Sequence, residues 1–155
     1  KIKLKSLKIS ELVSKSLNHV GLIAVELFCT HNDDVLVNEI APRVHNSGHL
    51  TIESCITSQF EQHIRAIYDM SLGSVNQILP GVMVNLVGEN NHNGEAFYRN
   101  IDKAFDLDGV FPHLYGKKIT KPNRKMGHIT IIDEKLEKAI SKARVLKNKI
   151  KIIST

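Results

Sequence analysis

The chain has 155 residues, 42% of them hydrophobic and 24% charged, which is typical of a globular domain with a sizeable core. Its apolar runs have the length of strands, so the composition argues against a membrane span. The two cysteines, Cys29 and Cys55, have no CxxC partner, which argues against a disulfide framework or a zinc site and favours a reducing, cytoplasmic compartment.

The net charge of +5 is distributed unevenly along the chain. Residues 9–116 carry five Lys and Arg against thirteen Asp and Glu, whereas residues 117–155 carry twelve against three. A basic segment on an acidic body is compatible with a nucleic-acid-binding module. The same segment has no aromatic residue for stacking on bases, so a solvated helix face is the simpler interpretation and we do not expect nucleic acid as a partner.

The first half of the chain contains both helical and strand patterns. Apolar residues at helical spacing predict a helix over residues 9–20, with Gly21 as its cap. The segments "GLIAVELF" and "VLVNEIA" flank "CTHNDD", which predicts two strands joined by a tight turn. In "TSQFEQHIRAIYDM", Ser58 and Glu61 have the spacing of a capping box and predict the start of a helix.

The second half adds strands and a closing helix. "PGVMVNLVGE" predicts a strand, "EAFYRNIDKAF" a helix, and "VFPHLYGK" with "RKMGHITII" a second pair of strands joined through Pro122 and Asn123. "DEKLEKAISKARVLKNKI" predicts a long helix capped by Asp133. Because helices and strands are mixed and include at least two hairpins, we expect the α+β or mixed α/β class.

The first predicted hairpin brings two glutamates together. If it turns at Asn32 and Asp33, Glu26 lies directly opposite Glu39. Facing carboxylates, with Cβ atoms about 5 Å apart, destabilise a sheet unless something neutralises them. A hard cation such as magnesium, which also contacts substrate phosphates, would do so. Alternatively, the two share a proton and the pKa of one carboxyl group is raised, the register slips by one residue, or both carboxylates face water.

The second predicted hairpin brings cations together. A turn around Thr120 and Lys121 would place Lys117 opposite Arg124 and His113 opposite His128. Facing cations repel each other, and a bound phosphate would relieve the repulsion, because arginine offers a planar fork and lysine a point charge. A merely basic hairpin tip fits the same spacing. With the glutamate pair, the pattern predicts a site for a metal and a phosphate.

The segment "PRVHNSGH" follows the second strand and is the densest polar stretch of the chain. Arg43 and His45 project to the same side if the chain stays extended near Pro42. Asn46 and Ser47 offer short hydrogen-bonding groups. A lone histidine is more often structural than catalytic, but loops at strand ends commonly hold binding sites, so we interpret this cluster as functional.

Four segments occur in the order "GLIAVELF", "VLVNEIAPRVHNSGHLTIESCITSQFEQHIRAI", "HLYGK" and "RKMGH". Together they resemble the 5-(carboxyamino)imidazole ribonucleotide synthetases of purine biosynthesis, which belong to the ATP-grasp superfamily. The resemblance runs from about residue 10 to the closing helix. It implies the C-terminal half of an ATP-grasp domain, an antiparallel-rich sheet with flanking helices at about residues 1–75, and a small hairpin-and-helix subdomain at about residues 76–155.

The resemblance implies a nucleotide site and a ribonucleotide site. At the first, Glu26 and Glu39 are metal ligands for magnesium bound to ATP, and Asn38 and Glu39 contact the nucleotide. The substrate-binding residues that it implies are Arg43, His45, Asn46, Ser47, Lys117 and Arg124.

Two of these assignments carry more detail. The resemblance implies that His45 and Arg43 are catalytic, His45 by positioning or deprotonating the substrate amine. Lys118 is a register alternative to Lys117 as the substrate ligand.

In the family, ATP, bicarbonate and 5-aminoimidazole ribonucleotide are converted to ADP, phosphate and the carboxyamino product. Magnesium and cationic side chains would offset the charge on the transferring phosphoryl group. The resemblance therefore implies an ATP-dependent ligase with ATP and magnesium as cofactors, the ribonucleotide and bicarbonate as substrates, a homodimer and a cytoplasmic location.

Family chains are more than twice as long as this one. The sequence shows no glycine-rich phosphate loop, adenine-binding segment or preceding substrate-binding domain, so we expect the N-terminal and lid domains to be absent and the chain by itself to be inactive. Two alternatives stay open, a basic nucleic-acid-binding module and a noncatalytic remnant domain.

Overall fold

The computed structural model describes all 155 residues, which form two compact units. The first unit comprises Lys1–Gly48 and Thr57–Val75, and the second comprises His49–Ile56 and Asn76–Thr155. The predicted α+β class is confirmed, since every strand pairing within the sheets is antiparallel and helices flank them.

The helices and strands follow one another along the chain in this order: α1 Ile2–Ser16, β1 Ala24–Cys29, β2 Val35–Ala41, α2 Thr51–Ser54, α3 Gln59–Ile67, β3 Gly81–Val87, β4 Gly94–Arg99, β5 Val110–Leu114, β6 Ile119–Thr120, β7 Lys125–Ile132, α4 Leu136–Lys149 and β8 Lys151–Ser154. None of the helices combines the length and the apolar character that a membrane span requires.

The helix predicted over residues 9–20 is longer and lies further toward the amino terminus. Helix α1 begins at Ile2 and ends at Ser16, with Leu17 as its C-cap. Asn18 has φ +46° and Gly21 has φ +109°, so the chain has already left the helix when it reaches the predicted cap. The apolar spacing therefore predicted a helix in this region but placed both of its ends too far along the chain, and the left-handed Asn18 ends it earlier than the glycine.

Helix α3 begins where the capping signal predicted. Ser58 is the N-cap, and its hydroxyl oxygen accepts a hydrogen bond from the amide of Glu61 at 3.2 Å. This contact satisfies one of the amide groups that the first turn of a helix leaves without an intrahelical partner.

The second unit contains two three-stranded sheets and a buried apolar core. The first sheet has the order β3-β7-β5 and the second the order β6-β4-β8. One side of β3 and β7 packs against α4, and the residues that form this core are Val84, Leu86, Ala104, Met126, Ile129, Ile131, Ala139, Ala143, Leu146, Ile150 and Ile152.

The helix predicted for "EAFYRNIDKAF" is wrong. The first part of the segment is strand β4, and only Ile101–Ala104 form a short 3-10 helix. Ala96 and Tyr98 are half-buried, whereas their neighbours in the strand alternate as exposed, which is the period of two of a strand. Strand β4 pairs with β8, which the sequence did not predict, so a partner distant in the chain decides this element.

The closing helix α4 is confirmed, but Asp133 is not its cap. Lys135 is the N-cap, and Asp133 instead accepts hydrogen bonds from the amide of Lys135 at 3.3 Å and from the ammonium of Lys142 at 2.9 Å. These two contacts hold the pKa of the Asp133 carboxyl group below its usual value, the lysine being the larger cause.

Candidate functional site

The first hairpin places Glu26 directly opposite Glu39, as the sequence predicted. The route to this register differs from the prediction. Next to the turn, Cys29 pairs with Val35, and a register shift between Glu26 and Leu27 makes Asn38 the extra residue of a β-bulge. Without that bulge, Glu26 would face Asn38, so the bulge is what sets the two carboxylates opposite each other.

Glu26 has a polar partner on each carboxylate oxygen. The side-chain nitrogen of Asn38, Nδ2, donates to Oε2 of Glu26 at 3.2 Å, and Nε2 of His45 lies 3.3 Å from Oε1. The His45 side chain is 16% exposed and that of Glu26 is 44% exposed, so the contact lies at the edge of the solvent. These partners orient Glu26 and offset part of the repulsion that the facing Glu39 exerts.

The ring of His45 is held in one tautomer. The Ser47 hydroxyl lies 2.8 Å from Nδ1, and the Ser47 amide also donates to Nδ1 at 3.4 Å. Because Nδ1 accepts, the ring proton of neutral His45 resides on Nε2 and points at Glu26. The Glu26 carboxylate, the His45 imidazole and the Ser47 hydroxyl are thus linked by consecutive contacts.

Gln59 is a supporting residue that the sequence analysis missed as part of the site. Its amide group donates to the His45 carbonyl at 2.8 Å and accepts from the His45 amide at 2.9 Å. A Cβ on Gly48 would lie 2.4 Å from Oε1 of Gln59, so the absence of a side chain at position 48 lets the glutamine approach. The motif "SQFE" contained this residue, but only the fold shows that it holds the His45 backbone.

The chain does not stay extended around Pro42, contrary to the expectation. The Arg43 amide donates to the Ala41 carbonyl at 2.8 Å, which closes a three-residue turn. The Arg43 guanidinium donates to the Val44 carbonyl at 2.9 Å and the residue is exposed. Asn46 and Ser47 lie in a short 3-10 turn, Asn46–Gly48, that follows His45.

The predicted pairing of Lys117 with Arg124 is wrong, although His113 does face His128 as predicted. The β5–β7 ladder ends at Leu114 and Gly127, before it reaches the two cations. The ammonium of Lys117 donates to a backbone carbonyl of β7 at 2.6 Å, and the guanidinium of Arg124 donates to one of β6 at 2.7 Å.

The turn in this hairpin lies further along the chain than predicted. The Arg124 amide donates to the Lys121 carbonyl at 3.0 Å and Asn123 has φ +61°, which are features of a type II turn with Pro122 in its second position. Lys118, the alternative to Lys117, is exposed and its carbonyl accepts from the Ala96 amide.

Magnesium fits the glutamate pair by its donor set. No group of three or more His, Cys, Asp and Glu residues is arranged to hold a metal on protein ligands alone. Magnesium, however, keeps several waters and is commonly bound by one or two carboxylates together with substrate phosphates. Glu26 and Glu39, opposed on paired strands and exposed, match that mode of binding.

Two protein-family models match separate parts of the chain. The model described as "ATP-grasp domain" matches residues 1–60. The model described as "Phosphoribosylaminoimidazole carboxylase C-terminal domain" matches residues 81–142.

Similar proteins are named as enzymes of one kind. The chain is 44% identical over 133 residues to the N5-carboxyaminoimidazole ribonucleotide synthase of Bacillus subtilis, which covers 86% of this chain and 33% of that protein. It is 46% identical over 125 residues to the synthase of the same name from Synechococcus elongatus, over 79% of this chain and 31% of that protein. The chain therefore spans about a third of the length of these relatives.

The chain is also similar to solved structures of proteins with corresponding names. The crystal structure of N5-carboxyaminoimidazole ribonucleotide synthetase from Thermotoga maritima has a TM-score of 0.91 and 46% identity, over 100% of this chain and 43% of that chain. A synthase from Aspergillus clavatus, in complex with ADP and 5-aminoimidazole ribonucleotide, has a TM-score of 0.75 and 34% identity, over 92% and 39%.

Proposed function

Because the chain belongs to the N5-carboxyaminoimidazole ribonucleotide synthetase family of ATP-grasp proteins, we propose that it forms the carboxy-terminal part of an ATP-dependent ligase. The ligase joins carbon to nitrogen by carboxylating 5-aminoimidazole ribonucleotide with bicarbonate, in purine biosynthesis. A homodimeric assembly and a cytoplasmic location belong to the same proposal.

The observation that carries this proposal is the opposed pair of Glu26 and Glu39 with Asn38 and His45 beside it. In the proposed site the two carboxylates hold magnesium, which when bound offsets negative charge on the phosphates of ATP. Asn38 and Glu39 lie toward the nucleotide. Asn38 also donates a hydrogen bond to Glu26. The bulge therefore sets the two carboxylates opposite each other and supplies a donor that orients one of them.

His45 and Arg43 serve the ribonucleotide in this proposal, with Asn46 and Ser47 as neighbouring polar groups. With Nδ1 accepting from Ser47 and the Nε2 proton directed at Glu26, the ring of His45 is fixed beside the carboxylates, and we assign it to positioning the substrate amine. To take up the amine proton, Nδ1 would first have to release Ser47. Arg43 uses one of its five N–H donors within the protein and can direct the others at an anionic group.

In the second unit we assign Lys117 and Arg124 to the substrate phosphate. Each side chain donates one hydrogen bond to a backbone carbonyl, at 2.6 Å for Lys117 and 2.7 Å for Arg124. Lysine has three donors and arginine five, so both keep donors for phosphate oxygens. The backbone contacts restrict the two side chains before the anion binds, which lowers the entropy lost on binding.

A chimera tests the proposal, with this chain in place of the matching segment of the Bacillus subtilis relative. We expect ADP formation that depends on 5-aminoimidazole ribonucleotide, and we expect Glu39→Gln to reduce it by about a hundredfold, because a metal ligand is lost while the shape is kept. Glu95→Gln, at an exposed glutamate of strand β4, is the matched control and should have little effect. An unchanged rate in the Glu39→Gln chimera would contradict the assignment of Glu39.

A further inference from the structure

A cluster of imidazole and phenol rings lies on one face of the β3-β7-β5 sheet. His128 of β7 is at its centre, with His113 of β5 as its register partner. The two rings stack at 4.4 Å between centroids, and the His49 ring is tilted against His128 at 5.0 Å. On the far side of His113, a carboxylate oxygen of Glu53 lies 2.7 Å from Nε2. This face is distinct from the one that packs on α4.

The hydroxyl of Tyr115 is the hydrogen-bond partner of the His128 ring. It lies 2.9 Å from Nδ1, whereas Nε2 is buried and has no hydrogen-bond partner. His128 is 3% exposed, and burial first, then the neighbouring His113 and His49, lower its pKa to about 4. Burial also raises the pKa of Tyr115. At neutral pH both groups are therefore neutral, and the phenol and the imidazole share one hydrogen bond.

The ring of Tyr115 in turn contacts the side chain of Lys117. The Lys117 ammonium lies over the ring at 5.4 Å from its centroid, a cation–π distance, and the same ammonium bonds the Lys125 carbonyl at 2.6 Å. Gly116, between the two residues, has φ +65°, a conformation that lets the chain double back so that Lys117 returns over the ring. The ammonium is thus held at two points, one of them an aromatic face.

We propose that Tyr115 and His128 are positioning residues for Lys117: the buried imidazole fixes the phenol, and the phenol face fixes the ammonium that binds the phosphate of the ribonucleotide. The inference rests on the proposed function for the role of Lys117 and on the geometry alone for its position. The position of Arg124, whose guanidinium donates to the Ile119 carbonyl, does not depend on this relay of contacts from His128 through Tyr115 to Lys117. Phosphate binding should therefore be lost in part, rather than completely, when the relay is cut.

The first experiment measures the position of Lys117 in this chain without a ligand. The methylene protons next to the Lys117 ammonium should show an upfield ring-current shift in the NMR spectrum, because that ammonium lies over the ring of Tyr115. Tyr115→Phe keeps a ring but removes its tether to His128, so the shift should move toward the value of an exposed lysine. Tyr98→Phe is the matched control, since the Tyr98 hydroxyl bonds the Met126 carbonyl at 3.0 Å. That carbonyl also accepts from the Tyr115 amide, so the control perturbs the same stretch of backbone but leaves the bond between Tyr115 and His128 in place.

The second experiment is a double-mutant cycle on the affinity for 5-aminoimidazole ribonucleotide, measured by NMR titration. Tyr115→Phe should weaken binding about fivefold, the net value of one hydrogen bond. In a Lys117→Ala background the same substitution should have no further effect, because the coupling passes through the ammonium. A purely structural role would give equal losses in both backgrounds, and Tyr98→Phe should lower the melting temperature without changing the affinity.

The outcomes separate the two ideas. An unchanged Lys117 shift in Tyr115→Phe, or an equal loss of affinity with and without Lys117, would overturn the positioning role. If the shift moves as expected but Lys117→Ala binds the ribonucleotide as well as the parent chain does, the positioning of Lys117 is supported and the proposed role of Lys117 in phosphate binding fails.

Discussion

Gln59 and Gln62 make the same kind of contact at two different places in the first unit. Gln59 bonds both the amide and the carbonyl of His45, and Gln62 does the same to Gly73, at 3.0 Å and 2.7 Å. Each glutamine thus holds a loop to helix α3. Because only Gln59 contacts a residue of the proposed site, comparing variants of the two glutamines separates the loss of a loop contact from an effect on that site.

We predict that Gln59→Leu and Gln62→Leu each destabilise the chain by about 2 kcal/mol, since two partly buried backbone groups lose a partner. Chemical denaturation would measure this loss. Only Gln59→Leu should also weaken the binding of 5-aminoimidazole ribonucleotide, because only Gln59 holds His45. Equal effects of the two variants on binding would contradict the role of Gln59 as a support of the site.

His128 predicts a pH dependence of stability. Its pKa in the native state is lowered to about 4, from about 6.5 in the unfolded chain. The unfolded state therefore binds more protons between these values, so the contribution of His128 is fully present above pH 6.5 and is lost as the pH falls toward 4. The imidazoles of His113 and His49 face His128 and contribute, after burial, to lowering its pKa.

We expect the free energy of unfolding to fall by roughly 1 to 3 kcal/mol between pH 7 and pH 4, as measured by urea denaturation. His31→Gln, at an exposed histidine of the first turn, should leave this slope unchanged. A free energy that stays constant across the window would show that His128 accepts a proton in the folded protein as readily as in the unfolded one.

Among the elements, helix α3 shows how local chemistry sets a boundary. Its N-cap is Ser58, and the contact to the Glu61 amide is made within four residues. We predict that Ser58→Ala costs about 1 kcal/mol, measured by thermal or chemical denaturation. Ser71→Ala, at an exposed position outside a helix, should cost almost nothing. A similar cost for both substitutions would mean that the cap does not stabilise α3.

The β-bulge at Asn38 is an element-scale feature that sequence spacing did not reveal. A turn at Asn32 and Asp33 predicted Glu26 opposite Glu39, and that register is present beyond the bulge, but the strands near the turn pair one residue differently. The prediction was correct for the glutamates because the bulge supplied the missing residue. Such a shift depends on how the two strands twist against each other, which spacing alone does not encode.

At the scale of the whole molecule, the two units differ in how much apolar surface they bury. Of the hydrophobic residues that are buried, Ala41 belongs to the first unit and all the others belong to the second. Helix α1 buries no residue, and exposed apolar side chains of the first unit include Leu4, Leu12, Phe28 and Leu36. Burial of apolar surface is the main source of stability, so we expect the first unit to be the less stable one.

We therefore predict that hydrogen exchange is slow in β7 and fast in β1 and β2. The expected protection of β7 approaches that of global unfolding, whereas the hairpin should exchange through local opening at a lower free energy. Mass spectrometry of exchanged peptides would measure both segments in one experiment. Equal protection of the two segments would contradict the difference in burial.

That the isolated chain lacks activity stays a prediction.

The sequence by itself determined the features that depend on neighbours along the chain. It located the first hairpin, the cap at Ser58 and the closing helix, because turn residues, capping groups and apolar periodicity act over a few positions. The facing of His113 with His128 was also predicted, but from a turn that lies elsewhere in the chain. It also identified the motifs that relate the chain to its family.

The tertiary structure decided what depends on distant partners. Strand β4 forms because β8 pairs with it, and Glu26 meets His45 because a turn at Pro42 redirects the chain. Tyr115, which directly follows β5, reaches His128 on the neighbouring strand β7. In each case the two partners are separated in sequence, and their contact is made only when strand pairing and packing on the sheet bring them together. Local spacing carries no information about that step, which is why the positions of the side chains needed the fold.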